Sequence, residues 1–262
     1  QIPVVGGTKD FKPEAIRDLQ PDLVIANREE NVPEPLLALR QEIPVYTTVV
    51  GNLAEAQTTL QELGRLCARE TAATALISEL AKGFANLPQP PNPIRTLYLI
   101  WRKPYMSIGG DTFIHDLLAI GNFANVCQTQ RRYPSLTPAD IQALNPELVL
   151  LSSEPFPFQT KHISELQALC PQAHIELVDG AAFSWYGSRL RTTPAEIRRI
   201  HLSKRGHVLI TRRHLQTPRA RSLSDSNSNR RCLLHTKPFL RKLINFERKI
   251  CRHHLRHQIV KK

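Results

Sequence analysis

The chain repeats one pattern of residues at a distance of 125 positions, and this repeat limits its fold more than any other feature. Pro13–Asn27 and Pro138–Ser152 each begin with a short amphipathic helix, reach a proline that cannot extend that helix, and end in an unbroken apolar run. Such runs are typical of strands buried in a parallel sheet. Two copies of this unit predict two lobes.

The residues that follow each copy also correspond. Helix-like segments at Pro33–Arg40 and Ile163–Leu169 lead to second apolar runs at Pro44–Val50 and His174–Asp179. Alternating helices and strands give right-handed crossovers and a parallel sheet, with ligands bound beyond the carboxyl ends of the strands. The sequence therefore predicts an α/β protein with two Rossmann-like lobes.

Composition divides the chain into four parts: a partial N-terminal lobe at 1–52, a bridging helical segment at 53–93, a C-terminal lobe at 94–190 and a basic tail at 191–262. The bridge lacks proline from Leu53 to Asn86, which predicts helix throughout, with Gly64 as the point where it can break. A long helix is expected over Thr71–Asn86, and the strand Ile94–Trp101 then opens the second lobe.

The net charge of +12 belongs to the tail. Residues 1–190 hold 15 basic and 20 acidic residues, whereas residues 191–262 hold 20 and three. The tail is interpreted either as an extension that binds nucleic acid or an anionic surface, or as sequence foreign to the fold, such as translation in a shifted frame. Within it we predict a polar linker at 222–229 and an amphipathic helix at 238–257.

Five stretches of the sequence resemble one known family. They are Val4–Lys9, Leu19–Asn31, Leu99–Phe113, Leu151–Phe158 and Phe183–Leu190. They are similar to the helical-backbone solute receptors of ABC importers for cobalamin, haem and ferric siderophores, and most similar to the cobalamin-receptor branch. The resemblance implies a class III periplasmic binding protein, with two α/β lobes joined by a long helix, a metal chelate bound between them, and an ABC transporter permease as partner.

The sequence departs from that family at both ends. The family begins with about one more βα unit and a secretion signal, so we expect an incomplete N-terminal lobe with two strands against three in the C-terminal lobe. After Leu190 the family closes with a helix, whereas here the composition changes. The resemblance implies a periplasmic or cell-surface location for the full-length protein, with the signal outside this chain.

Candidate ligand contacts lie in the loops beyond the predicted strands. The aromatic and cationic groups among them suit a large, flat, anionic or amide-rich ligand. For Trp101 alone a place in the core is the alternative, and for Gly109 the alternative is an ordinary strand-to-helix turn. The candidates are Asn27, Arg28, Trp101, Arg102, Tyr105, Gly109, Phe156, Trp185 and Tyr186.

Three acidic residues are candidates for docking onto the permease. In the family, an acid on each lobe docks onto arginines of the permease, which implies this role for Glu29 and Glu30 on the first lobe and Glu154 on the second. The alternative for Glu29 and Glu30 is a solvated acidic turn at a helix N-terminus, where carboxylates are favourable.

Enzymatic and metal-binding motifs do not stand out. Residues 1–190 contain three scattered histidines, and the sequence has no CxxC, HExxH, GxSxG or phosphate-loop pattern. We expect a monomeric, non-enzymatic protein without a resident metal or cofactor, whose ligand is a cobalamin-like or ferric chelate. A cytosolic chelate-binding domain is the remaining alternative, because similar folds serve several functions.

Overall fold

The computed structural model of the protein describes residues 3–216, with side chains described through residue 206. The chain divides into two units after Arg205, and the first unit, residues 1–205, contains both lobes and the bridge. The predicted linker at 222–229 and helix at 238–257 lie outside the described residues. Cys67, Cys127 and Cys170 are free thiols within them.

The N-terminal lobe follows the predicted helix-strand order. Its elements are α1 (Pro13–Asp18), β1 (Val24–Asn27), α2 (Pro33–Leu39) and β2 (Val45–Thr48). A proline opens each helix, where its missing N–H costs nothing. The two strands pair in parallel from Val24↔Val45 to Asn27↔Thr48, and a small core of Ala26, Leu36 and Leu39 lies beneath them. The two predicted strands are thus confirmed.

The bridge consists of two helices, α3 (Leu53–Leu66) and α4 (Glu70–Ala85). The predicted break at Gly64 is misplaced, since α3 continues to Leu66. A Cβ at Gly64 would lie 2.5 Å from Cβ of Ala73. The glycine therefore lets α4 pack closely on α3 instead of ending the helix. Ala56 and Leu80 join the core of the C-terminal lobe.

The C-terminal lobe is built around a four-stranded parallel sheet in the order β5-β3-β7-β8. Its strands are β3 (Ile94–Leu99), β5 (Phe123–Asn125), β7 (Leu148–Ser152) and β8 (His174–Val178), and its helices are α5 (Phe113–Ile120), α6 (Pro138–Leu144), α7 (Thr160–Leu169) and α8 (Gly180–Ser184). A small antiparallel pair, β4 (Tyr105–Met106) and β6 (Ser135–Leu136), lies beside it. The expected number of three strands is corrected to four, because β5 was missed.

Both faces of the C-terminal sheet are covered. Leu97 and Leu99 face one apolar cluster and Tyr98 faces the other, as the two-residue period of a strand requires. Every residue of β7 is buried. The unbroken apolar run that predicted a buried strand is therefore confirmed.

The helix α9 (Thr193–Gln216) closes the described part of the chain. Ile197 and Ile200 are fully buried against the C-terminal core, and His201 is 4% exposed. The boundary predicted after residue 190 is therefore corrected, because residues 191–205 belong to the first unit. A count of charges does not reveal the apolar residues Ile197 and Ile200, which recur at helical spacing on one face of α9.

The basic residues of α9 serve this packing. Arg198 donates to the carbonyl oxygen of Gly83 at 3.0 Å, and Lys204 donates to that of Glu147 at 2.6 Å. Arg199 pairs with the buried Glu176 at 2.9 Å. These cations satisfy carbonyl and carboxylate groups of the lobe, so they stabilise the fold.

His201 makes the stability of the fold depend on pH. Its ring stacks on Phe123 at 4.7 Å and its Nε2 lies 2.8 Å from the carbonyl oxygen of Gly121. Burial lowers the pKa of His201 below its ordinary value. Below about pH 6.5 the unfolded chain therefore binds more protons than the folded chain, and the free energy of unfolding should fall as pH falls.

Urea unfolding at pH 7.5 and pH 5 measures this effect. His201→Gln, which keeps a donor near the Gly121 carbonyl but does not titrate, should show a smaller loss of stability between the two pH values. An equal loss in both proteins would rule out His201 as a cause.

Candidate functional site

The loops beyond β1 and β2 meet the C-terminal lobe at what we call the interlobe junction, formed by Glu29, Thr48, Arg132 and Tyr186. The guanidinium of Arg132 donates to the carboxylate of Glu29. The side chain of Tyr186 shares a hydrogen bond with that of Thr48. The carboxyl ends of strands from both lobes therefore face one region, as the fold predicts for a binding site.

Asn27 shapes the loop beyond β1. Its side-chain oxygen accepts from the backbone N–H groups of Glu29 and Glu30 at 2.9 and 3.1 Å, and its amide donates to Oγ1 of Thr48 at 3.0 Å. Asn27, a predicted ligand contact, thus uses its side-chain oxygen and amide in hydrogen bonds within its own lobe. Its geometry supports a structural role.

The charged residues of the same loop differ in exposure. Glu29 is engaged by Arg132, and its backbone oxygen accepts from Nζ of Lys9 at 2.7 Å. Arg28 lies 3.9 Å from Glu29 but 61% of its side chain is exposed. Glu30 is exposed as well. Of the two acids proposed for docking on this lobe, Glu30 is the accessible one.

The structure places Arg102 and Tyr105 against α7 rather than at the junction. Arg102 donates to the carboxylate of Glu165 through Nε at 3.0 Å and Nη2 at 2.7 Å, and the Tyr105 hydroxyl donates to the same carboxylate. The Arg102 contact lowers the pKa of Glu165, while burial raises that of Tyr105 to about 12. Both side chains are thus occupied within the C-terminal lobe.

A surface cavity of about 450 Å³ lies beside this ion pair. It is lined by Arg102, Phe156, Pro157, Gln159, Lys161, His162 and Glu165. All of these belong to the C-terminal lobe, so the cavity is separate from the interlobe junction.

Trp101 and Phe156 are partly buried and pack against the core clusters of the C-terminal lobe. Their rings meet edge to face at 5.7 Å, and Phe156 also meets Phe158 at 4.9 Å. Such edge-to-face pairs stabilise a core beyond the area they bury. The packing of Trp101 against the core agrees with the alternative for that residue, whereas Phe156 also lines the surface cavity.

Gly109 is needed for the placement of Arg132. A Cβ at Gly109 would lie 2.4 Å from the carbonyl oxygen of Gln130, and the Gly109 N–H donates to the Arg132 oxygen at 2.7 Å. The Arg132 N–H in turn donates to the Asp111 carboxylate at 2.6 Å. The glycine thus holds the loop that carries Arg132 and agrees with the ordinary-turn alternative.

Trp185 and Tyr186 border the junction. The side chain of Trp185 is 56% exposed, and its Nε1 donates to Oε1 of Glu154 at 2.7 Å. Tyr186 is half-buried and meets Phe113 edge to face at 5.5 Å. Burial raises the pKa of Tyr186. Of the predicted aromatic contacts, Trp185 presents the largest free ring surface.

Arg132 and Tyr133 were missed by the sequence analysis. They lie in the loop before Pro134, and the Arg132 guanidinium sits 5.4 Å from the Tyr133 ring. The signal that could have found them is Arg131-Arg132-Tyr133, a basic pair beside an aromatic residue in an otherwise polar loop. No predicted strand ends there, so the rule that places contacts beyond strand ends does not point to this loop.

Two absences characterise the residues that the structure describes. No group of three or more His, Cys, Asp or Glu side chains among them could hold a metal ion. No helix in this part of the chain is long and apolar enough to cross a membrane.

Comparison with known proteins identifies a family and a set of similar folds. The sequence model of the family described as periplasmic binding protein matches residues 1–168. No curated protein matches the chain.

Three solved structures illustrate the likeness of fold. The periplasmic haem-binding protein HutB of Vibrio cholerae is 19% identical with a TM-score of 0.65, covering 77% of this chain and 83% of its own. The periplasmic vitamin B12 binding protein BtuF of the same organism is 16% identical with a TM-score of 0.61, covering 76% and 82%. An ABC-type Fe³⁺-hydroxamate transport system protein of Saccharomonospora viridis is 18% identical with a TM-score of 0.56, covering 78% and 75%.

Proposed function

This chain belongs to the periplasmic binding protein family, and on that premise we propose that it is the solute-binding receptor of an ABC importer. It binds a cobalamin-like or other metal-chelate ligand at the interlobe junction and delivers it to a membrane permease. It acts in the periplasm or at the cell surface, as a monomer.

The observation that carries this proposal is the exposed ring of Trp185 beside the junction. A tryptophan of which 56% is exposed costs free energy in water unless a partner covers it. A flat macrocycle stacked on this indole would bury that surface. The structural relatives named for haem and vitamin B12 support a ligand of this shape.

We further propose that Tyr186 and Arg28 contact the ligand with Trp185. Tyr186 already lies at the junction, and Arg28 is exposed on the facing loop. Glu30, also exposed, is the acid of this lobe best placed to dock onto the permease.

Nucleic-acid binding by the tail gains no support from the described residues. The cations Arg198, Arg199 and Lys204 donate to groups of the lobe itself. Residues 217–262 of the tail lie outside the described residues.

Direct binding tests the proposal. The full chain should bind at least one of three probes, cyanocobalamin, haemin or ferrichrome, saturably and with one equivalent per chain, as measured by absorbance titration and calorimetry. A chain that ends at Gln216 serves as control, because it removes the histidine-rich and basic residues that could hold haemin nonspecifically. Binding that requires residues 217–262, or no saturable binding of any probe, would exclude the junction as the site.

A further inference from the structure

Glu154 occupies an unexpected place for a docking acid. The residue is partly buried, and its carboxylate accepts the Trp185 indole N–H at 2.7 Å. A carboxylate that docks onto a partner's arginine should be free and solvated before the partner arrives. The local geometry instead ties this acid to the side chain with the largest free ring surface at the junction.

The backbone of Glu154 is fixed to the core of the C-terminal lobe. The hydroxyl of Ser152 accepts from the Glu154 N–H at 3.3 Å and donates to the Glu154 carbonyl oxygen. The hydroxyl of the fully buried Tyr98 donates to the same Ser152 oxygen at 3.3 Å. Hydrogen bonds from the sheet therefore fix the backbone of the residue whose carboxylate holds the indole of Trp185.

Gly180 makes room for the Glu154 side chain. A Cβ at Gly180 would lie 2.7 Å from Cγ of Glu154 and 2.2 Å from the Ser152 hydroxyl oxygen. Only glycine lets the first turn of α8 come this close. Trp185 directly follows α8. The close approach at Gly180 therefore fixes the positions of both Glu154 and Trp185.

Trp185 has little else to fix its orientation. More than half of its side chain is exposed, so packing restrains it weakly. A hydrogen bond from a neutral donor to a carboxylate is among the stronger ones available to it. The orientation of the ring therefore depends on Glu154.

We propose that Glu154 is a positioning residue, which holds the Trp185 indole in the orientation that receives the ligand, and that it does not dock onto the permease. The ligand part of this inference rests on the proposed function. The positioning part does not, because it can be measured without ligand.

The unaltered protein gives the first test. In a ¹H–¹⁵N spectrum the two tryptophans give two indole resonances, and Trp101→Phe assigns them. The Trp185 indole proton should exchange with solvent about tenfold more slowly than that of an exposed tryptophan, because it is hydrogen-bonded. Exchange as fast as in a free indole would overturn the proposal.

Two variants of Glu154 give the second test, in the Trp101→Phe background where Trp185 is the sole tryptophan and is excited selectively over the tyrosines. Glu154→Leu keeps the size of the side chain without an acceptor, and should lower the residual fluorescence anisotropy of Trp185 and raise its quenching by acrylamide about twofold. Glu154→Gln retains an oxygen acceptor and should restore both towards the parent values. Equal anisotropy in all three proteins would overturn the proposal.

Ligand affinity is then compared with Trp101 intact, using the probe that the unaltered chain binds. Glu154→Leu should weaken its affinity about fivefold, and Glu154→Gln should recover most of that loss. A changed anisotropy with no probe bound by any protein would contradict the proposed function but leave the positioning role supported. If the indole of Trp185 were mobile in Glu154→Leu but the affinity for the probe were unchanged, the proposal that the orientation of the indole determines ligand binding would be overturned.

Discussion

Replacing Trp185 with alanine should weaken binding of the metal-chelate probe by about 10- to 100-fold, because a stacked tryptophan typically contributes about 1–3 kcal/mol to binding. The fold should barely change, since 56% of the side chain is exposed and its removal leaves no closed cavity. Calorimetric titration measures the affinity, and thermal unfolding measures the stability.

Leu37→Ala is a matched control for this variant. Leu37 is also 56% exposed, but it lies on α2 of the N-terminal lobe, whereas Trp185 follows α8 of the C-terminal lobe. Its removal should leave the affinity for the probe unchanged. If Trp185→Ala bound as tightly as the unaltered chain, the ligand would not lie on this ring, and the choice of the junction as the site would lose its main support.

The repeat predicted most of the strands because their physical signal is local. An apolar run after a proline marks β1 and β7 in the same way, and both are observed. The strand β5 lacks that signal. It has only three residues, Phe123–Asn125, and it exists because Ile94–Thr96 offers a free edge to pair with. A strand defined by its partner cannot be recognised from its own residues.

The helix α9 was misread for a related reason. Its first turns combine a buried stripe, Ile197, Ile200 and His201, with several arginines. Net charge sums over all faces of a helix, whereas packing depends on one face. Composition therefore places these cations in a tail separate from the lobe, although several of them pair with groups of the lobe.

The strand-end rule located the loops of the site but not the direction of each side chain. Arg102 and Tyr105 follow β3 as predicted, yet both turn to Glu165, which comes 63 positions after Arg102 and 60 after Tyr105. Arg132 is placed by a backbone turn at Gly109, and its partner Glu29 lies in the other lobe. Such partners are distant in the sequence and come together only in the folded protein. Whether a loop residue is exposed therefore cannot be predicted from its position after a strand.

Ending the chain after Leu190 should prevent stable folding of the first unit. This deletion removes Ile197 and Ile200, both fully buried, and the nearly buried His201. Loss of a buried isoleucine side chain costs about 2–5 kcal/mol, so the two together approach the whole stability of an ordinary domain, about 5–15 kcal/mol. The deletion also opens the apolar core around Phe123 and removes the ion pair that Arg199 makes with Glu176.

A chain that ends at Gln216 is the control, because it keeps all of α9 and every contact described for the first unit. It should unfold cooperatively in urea, whereas the chain that ends at Leu190 should show no cooperative transition and should expose apolar surface to a fluorescent dye. A point variant tests whether the packing of α9 contributes to stability when the helix is present. Ile200→Ala in the chain ending at Gln216 should lower the free energy of unfolding by about 2–5 kcal/mol. A chain ending at Leu190 that unfolds as cooperatively as the control would restore the boundary suggested by composition, and would mean that α9 only covers a lobe already complete without it.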